Sequence, residues 1–322
     1  MELRRMTMSR LMEVERRQNP PAWGALYDPA IRATVSEAPS RSRPTLIWSD
    51  RLGRYVHTLS TAERDVAAVI LYCDRLFELQ EQRVLPVLPG KHPLATHPLA
   101  VGTTLPPMMG TLEVADALGC LSQHPKIVVK TTDGEQRLPT PWIGDFLLFL
   151  VDVDGPYCVN LNVKDTHRAF DAPTVGATIK TNKERRARKA ANRNLVEEAV
   201  YESTGIPTRR VAGEDVCPTI AENLLSLIRW SKRPCSMEPD TVEKLIEAVH
   251  DGIERRRSAL DVILEFVSKT RVTFDEAKTA FHRAIWRRRI RVDLTEPLFL
   301  DWHLQPEKQD ILDVFAHWFA RS

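Results

Sequence analysis

The chain has 322 residues and a formal net charge of +2, too long for one small module and too nearly neutral to hold a polyanion by bulk charge. A hydrophobic fraction of 43% beside 27% charged residues excludes a disordered or fibrous polymer. The longest apolar run, Phe146 to Val151, falls far short of the ~20 residues of a membrane-spanning helix, and the Arg-rich start lacks the apolar core of a secretory leader. These features predict a cytosolic protein in a reducing compartment with no membrane partner.

In chain order, residues 1–58 read as a poorly structured arm, with Asn19-Pro20-Pro21 and a Pro/Ser/Arg stretch from Pro39 to Pro44. A helix is predicted from about Thr61 to Gln80, where Val66, Ile70, Cys73 and Phe77 recur at helical steps. Six prolines between Pro86 and Pro107 predict loop or edge. Lys126 to Thr131 reads as a strand followed by an Asp133-Gly134 turn, and Phe146–Val151 with Tyr157–Lys164 as a hairpin around Asp152-Val153-Asp154-Gly155-Pro156. A basic helix is expected from Asn182 to Tyr201, then a short strand at Thr208–Ala212. Beyond a boundary near Val216 to Pro218, helices are predicted at Ile220–Trp230, Thr241–Lys269 and Phe274–Arg287, closed by a strand-like Arg289–Leu294.

The five cysteines form no CxxC pair, and the spacing argues against a disulfide framework. A zinc site from Cys217, Cys235 and His250 is the less favoured alternative to ordinary cysteines.

The hairpin carries the chemistry. Alternation puts Asn162 and Lys164 on one strand face, and pairing of Val151 with Pro156 or Tyr157 brings Asp145 level with Asn162 or Val163. Glu63, three residues before Val66, shares the apolar face of its helix, where a carboxylate is costly unless paired or metal-bound. Two carboxylates and an amide oxygen suit Mg²⁺, with Mn²⁺ as a substitute, and Lys164 beside them suits a water or phosphate oxygen. Each residue also has a plainer reading: Ser60-Thr61-Ala62-Glu63 matches a helix cap, Asp145 follows Gly144 in a turn, and Asn162 and Lys164 fit solvated strand positions.

Asp145 followed by Asn162-Val163-Lys164, with a helical glutamate upstream, resembles the PD-(D/E)xK nuclease pattern. Its setting resembles the TnsA endonuclease subunit of heteromeric transposases over about residues 50–300: Gly53-Arg54, His57, Ser60-x-x-Glu63-Arg64-Asp65, Thr140-Pro141, Asp145-Phe146-Leu147, Tyr201, Gly205-Ile206-Pro207, Glu214-Asp215, Ala221-Glu222-Asn223-Leu224 and Ile290-Arg291-Val292-Asp293-Leu294. The Pro-rich segment before Asp145 is longer than that family's, and residues before 50 are extra.

The resemblance implies an α/β restriction-endonuclease-like core, a mixed sheet flanked by helices, at residues 51–216. It places a mainly α, winged-helix-like domain at 217–322, and residues 1–50, outside it, read as an extended arm. It implies Glu63, Asp145, Asn162 and Lys164 as catalytic residues, with Glu63, Asp145, Asn162 and the Val163 carbonyl as metal ligands, and Glu197 as a further acidic position. It implies cleavage at the 5′ ends of a mobile element in a bacterial-type cytosol, with a TnsB-like DDE transposase and a TnsC-like AAA+ regulator that contacts the C-terminal domain. Beside this context, Lys180, Lys183, Arg185, Arg186, Arg188, Lys189 and Arg193 read as contacts to double-stranded DNA rather than a merely solvated helix face. Two other classes stay open: a stand-alone restriction or repair nuclease, and a DNA- and protein-binding scaffold whose nuclease site has decayed, the latter favoured only by the amide at position 162.

Overall fold

A run of five apolar side chains, Phe146–Leu150, buried on both faces, demands cover on two sides, and the architecture follows from that requirement. The computed structural model describes residues 6–40, 42–132, 134–170 and 181–321. In chain order its elements are α1 (Met8–Gln18), β1 (Thr45–Ser49), β2 (Arg54–Thr58), α2 (Thr61–Tyr72), β3 (Leu76–Glu81), α3 (Thr111–Ala117), β4 (Lys126–Thr131), β5 (Gly134–Pro139), β6 (Phe146–Asp152), β7 (Gly155–Lys164), α4 (Asn182–Glu202), β8 (Thr208–Ala212), α5 (Pro218–Ser231), α6 (Pro239–Glu254), α7 (Ala259–Lys269), α8 (Phe274–Trp286), α9 (Ile311–Val314) and α10 (Ala316–Phe319).

The fold is α/β, with a mixed sheet of order β3-β6-β7-β8 flanked by helices. The β3–β6 and β6–β7 pairs are antiparallel and β7–β8 is parallel. Period-two alternation divides the two central strands between two cores. Phe146, Leu148 and Leu150 of β6 join Tyr157, Val159, Leu161 and Val163 of β7 in the core that holds α2. Leu147, Phe149 and Cys158 join Val196, Val200 and Tyr201 of α4 in the other. Asn160, Asn162 and Lys164 share the parity of Cys158, so they lie on the α4 face. The α2-side core continues without interruption into α5, α6, α7 and α8, and reaches Trp318 and Phe319. Among the described residues, no helix is long and apolar enough to cross a membrane.

The hairpin register matches expectation, with Val151 opposite Pro156 and Phe146 opposite Leu161. Four other expectations are corrected. The helix starting at Thr61 ends at Tyr72, not Gln80, and Leu76–Glu81 forms β3. The helical step to Phe77 is coincidental: Phe77 packs in the α4-side core while Val66, Ile70 and Cys73 pack in the other. Pairing with β6 overrides a local helical pattern. The helix anticipated over Thr241–Lys269 is two, α6 and α7. The chain turns at Arg256, φ +57°, and the hydroxyl of Ser258 accepts from the Asp261 N–H to start α7. Arg289–Leu294 forms no strand; Ile290, Val292 and Leu294 are buried, but Val292 makes only one isolated bridge, to Pro306.

The start of the chain is also more ordered than its composition suggests. Helix α1 forms, and Val14, Ala30, Ile31 and Ala38 pack against Leu59 and Ile143. Arg17, nearly buried, binds Glu37 at 2.7 Å and Glu13 at 2.9 Å. Apart from the Arg17–Glu13 pair, these contacts join residues far apart in sequence, which composition does not register.

Cys73, Cys120 and Cys158 are buried and all five cysteines are free thiols. Near the exposed end of α5, the buried His282 ring stacks on Trp230, centroids 4.5 Å apart, and bonds to the Lys278 carbonyl at 2.7 Å through Nδ1. Burial pushes its pKa down to about 4, with the charges of Lys278 and Arg233 adding to the effect. The unfolded imidazole takes up a proton near pH 6.5 while the folded one stays neutral. Stability carried by this group is therefore complete above pH 6.5 and lost as pH falls toward 4. Replacing His282 with phenylalanine is expected to flatten the fall in urea midpoint between pH 7 and 4.5; an unchanged slope would assign it elsewhere.

Candidate active site

The end of the sheet where β6 begins and β7 finishes gathers Glu63, Asp145, Asn162 and Lys164. Asp145 stands one residue before β6, and its Oδ2 accepts from the Val163 N–H at 2.8 Å. That bond locks the carboxylate against β7. Lys164 Nζ donates to Asn162 Oδ1 at 2.9 Å and to the Val163 carbonyl at 3.2 Å, and lies 3.8 Å from Asp145 Oδ2. Asn162 is fully buried, and its Nδ2 donates to Asn194 Oδ1 of α4 at 3.1 Å, which fixes the orientation of the amide.

Glu63 enters from α2. Its N–H is capped by Ser60 Oγ at 3.1 Å, so the capping reading of this segment holds in part. The carboxylate itself accepts from Leu59 N–H at 2.8 Å, Ser60 Oγ at 3.2 Å and Gln82 Nε2 at 3.2 Å. Burial pushes the pKa of Glu63 up, and the neighbouring Asp145 charge pushes the same way. Glu197 of α4, completely buried, is raised likewise by burial, with Arg193 opposing and Asp145 reinforcing the shift. Glu197 Oε1 accepts from Asn160 Nδ2 at 3.2 Å; Oε2 is 3.6 Å from an Arg193 nitrogen. Glu197 Oε2 and Asn160 Oδ1 have no hydrogen-bond partner among the described residues. Gly144 leaves room for Glu197: a Cβ at 144 would stand 2.8 Å from Glu197 Oε1.

These residues fit a hard divalent cation in their donor chemistry. Asn162 Oδ1, the Val163 carbonyl and Asp145 Oδ2 already face one positive group, the Lys164 ammonium. Carboxylate, amide and carbonyl oxygens are the ligands such ions prefer. A carboxylate offers about four acceptor positions, so the three donors on Glu63 leave one. Burial and the nearby Asp145 charge disfavour the ionised forms of Glu63 and Glu197, and a nearby cation would favour them. Among the described residues no three His, Cys, Asp or Glu side chains form a ligand shell by themselves, so any ion here depends on the amide and carbonyl oxygens as well.

Of the seven cations assigned to DNA, Lys180 and the side chains of Lys183 and Arg186 lie outside the described residues. Arg185, Arg188 and Lys189 are exposed along the first half of α4. Arg193, further along α4, is half-buried and donates to the Ile143 carbonyl. Cys217 is exposed and Cys235 half-buried.

Sequence reasoning missed Gln82, Asn160 and Asn194. The two asparagines carry a faint signal, since Asn160 alternates with Asn162 on β7 and Asn194 lies three residues before Glu197 on α4. Gln82 carries none, because it stands in a segment that reads as a helix end. No model of a known protein family and no characterised protein matches this chain.

Proposed function

We propose that this protein is a Mg²⁺-dependent DNA endonuclease of the restriction-endonuclease type. The observation that carries this reading is the convergence of Asp145 Oδ2, Asn162 Oδ1 and the Val163 carbonyl on Lys164 Nζ, with the Glu63 carboxylate buried beside Asp145. A bound Mg²⁺ would supply an acidified water and charge neutralisation at the scissile phosphate. Asp145, Glu63, Asn162 and the Val163 carbonyl would hold the ion. Lys164, which touches that oxygen cluster, would bind a phosphate oxygen and stabilise the charge that develops on it. Arg185, Arg188 and Lys189 project from α4, which packs on the site's face of the sheet, and would receive the duplex backbone without selecting sequence.

The reading extends, on the resemblance alone, to the TnsA-like role. In it, residues 51–216 form the nuclease core and 217–322 a winged-helix-like domain, and the protein cuts the 5′ ends of a mobile element. A DDE transposase acts on the 3′ ends, and an AAA+ regulator contacts the C-terminal helices.

The test is strand-resolved cleavage of a duplex carrying the element's ends, with Mg²⁺, comparing wild type and Asp145→Ala with and without the transposase. Loss of only the 5′-strand cut in the variant supports the transposase-subunit reading. Cutting by the protein alone supports a stand-alone nuclease. Identical products from wild type and variant would refute the site.

A further inference from the structure

Gln82 follows β3 directly, and its backbone sits at φ +49°, in the left-handed region that side-chain-bearing residues rarely adopt. A residue needed only to turn the chain there is best served by glycine. Gln82 instead makes three separate connections from a position only 4% exposed. Its N–H donates to the Asp145 carbonyl at 2.9 Å, and its own carbonyl accepts from the Ala30 N–H at 3.1 Å. Its Nε2 donates to Glu63 Oε2 at 3.2 Å. One residue thus joins the main chain of Asp145 to the side chain of Glu63. The docked N-terminal segment fixes it from a third side. The remaining restraints on Glu63 come from its own helix start, Leu59 and Ser60, and none of them refers to Asp145.

We propose that Gln82 is a positioning residue that sets the Glu63 carboxylate against Asp145, so that the two grip one divalent cation together. This rests on the nuclease reading of the site. Glu63 reaches the sheet end from α2, on the opposite layer from Asn162 and Glu197, and needs a link across the end of β3 to hold its place beside Asp145. The left-handed backbone is what lets one residue point its N–H at Asp145 and its amide at Glu63.

The test is Mn²⁺ binding to the full-length protein, by calorimetry at one fixed pH, with thermal midpoints recorded for each metal-free protein. Gln82→Gly relieves the backbone and keeps both main-chain bonds, and Gln82→Met keeps the side-chain length without the donor. Both are expected to bind Mn²⁺ about 10–100-fold more weakly than wild type, the usual cost of losing a hydrogen bond that orients a metal ligand. Gln82→Gly is expected to do so with a midpoint no lower than wild type. A purely structural residue would move the midpoint and leave affinity alone. If wild type and both variants bind Mn²⁺ alike, the positioning role is overturned while the metal site stands. If wild type itself binds no Mn²⁺, the metal reading falls and takes this inference with it.

Discussion

Lys164→Met is expected to cut single-turnover DNA cleavage by about 10²–10³-fold while tightening the binding of a divalent cation. The two effects have one cause. The ammonium rests on Asn162 Oδ1 and the Val163 carbonyl and lies 3.8 Å from Asp145 Oδ2, so it competes for the oxygens that would hold the ion. In the proposed site a bound ion would draw those oxygens, and Lys164 would then be released to meet a phosphate. On this reading, removing the ammonium would leave the oxygens unopposed for metal and a bound phosphate without its partner. The aromatic ring of Phe170, 5.7 Å from Nζ, marks one place where the displaced cation can rest. Paired calorimetry with Mn²⁺ and a quenched cleavage assay on the same preparation would decide it. Weaker metal binding in the variant would show that Lys164 supports the oxygen cluster and does not compete for it.

The second large effect concerns the anchor of the β1–β2 hairpin. Arg54 of β2 is nearly buried and holds Glu81 of β3 at 2.8 Å and Glu78 at 3.5 Å, beneath the ring of Tyr27 at 4.7 Å. Glu81 is completely buried and also accepts from the His57 N–H at 3.0 Å. Removing one partner of a buried pair strands the other, at about 3–5 kcal/mol, and here two carboxylates would be stranded together. Arg54→Met is expected to lose stability of that order in urea unfolding at pH 7. Adding Glu81→Gln should recover part of it, since the double variant buries one charge fewer. A double variant as unstable as the sum of the two singles would mean that the pair is not what holds the hairpin.

Legibility of the sequence varied with how local each stabilising interaction is. The Phe146–Lys164 hairpin could be read because turn chemistry, an apolar run and alternation agree within twenty residues. Its register put Asp145 level with Asn162, and the four proposed catalytic residues do meet there. The basic helix α4 was legible from the Gly205 and Pro207 that end it, and its start is held by the Thr181–Glu184 capping box. Strand β3 was not legible: Leu76–Glu81 continues a helical step, and only its pairing with β6 makes it a strand. The break between α6 and α7 had a signal, Ser258-x-x-Asp261, masked by the apolar periodicity on both sides. The order of residues 6–40 depends on Leu59 and Ile143 far along the chain and on an Arg17–Glu37 pair 20 residues apart, so no short stretch of the segment announces it. The link through Gln82 is of the same kind, since its three partners lie at positions 30, 63 and 145.

The apolar core beneath α2 has a consequence for how this molecule can change over evolutionary time. Leu224 and Leu227 of α5, Leu245 and Val249 of α6, Ile285 of α8 and the terminal Trp318 share one continuous interior with Val66 and Ile70, the residues that seat the helix carrying Glu63. A recombination joint near residue 216 would leave large apolar faces bare on both pieces, so the C-terminal helices cannot be exchanged like a detachable reading head. New partners would have to be acquired by redecorating the outer faces of α6, α7 and α8 one residue at a time. Substitutions on their inner faces would be felt as far away as the helix start that presents Glu63.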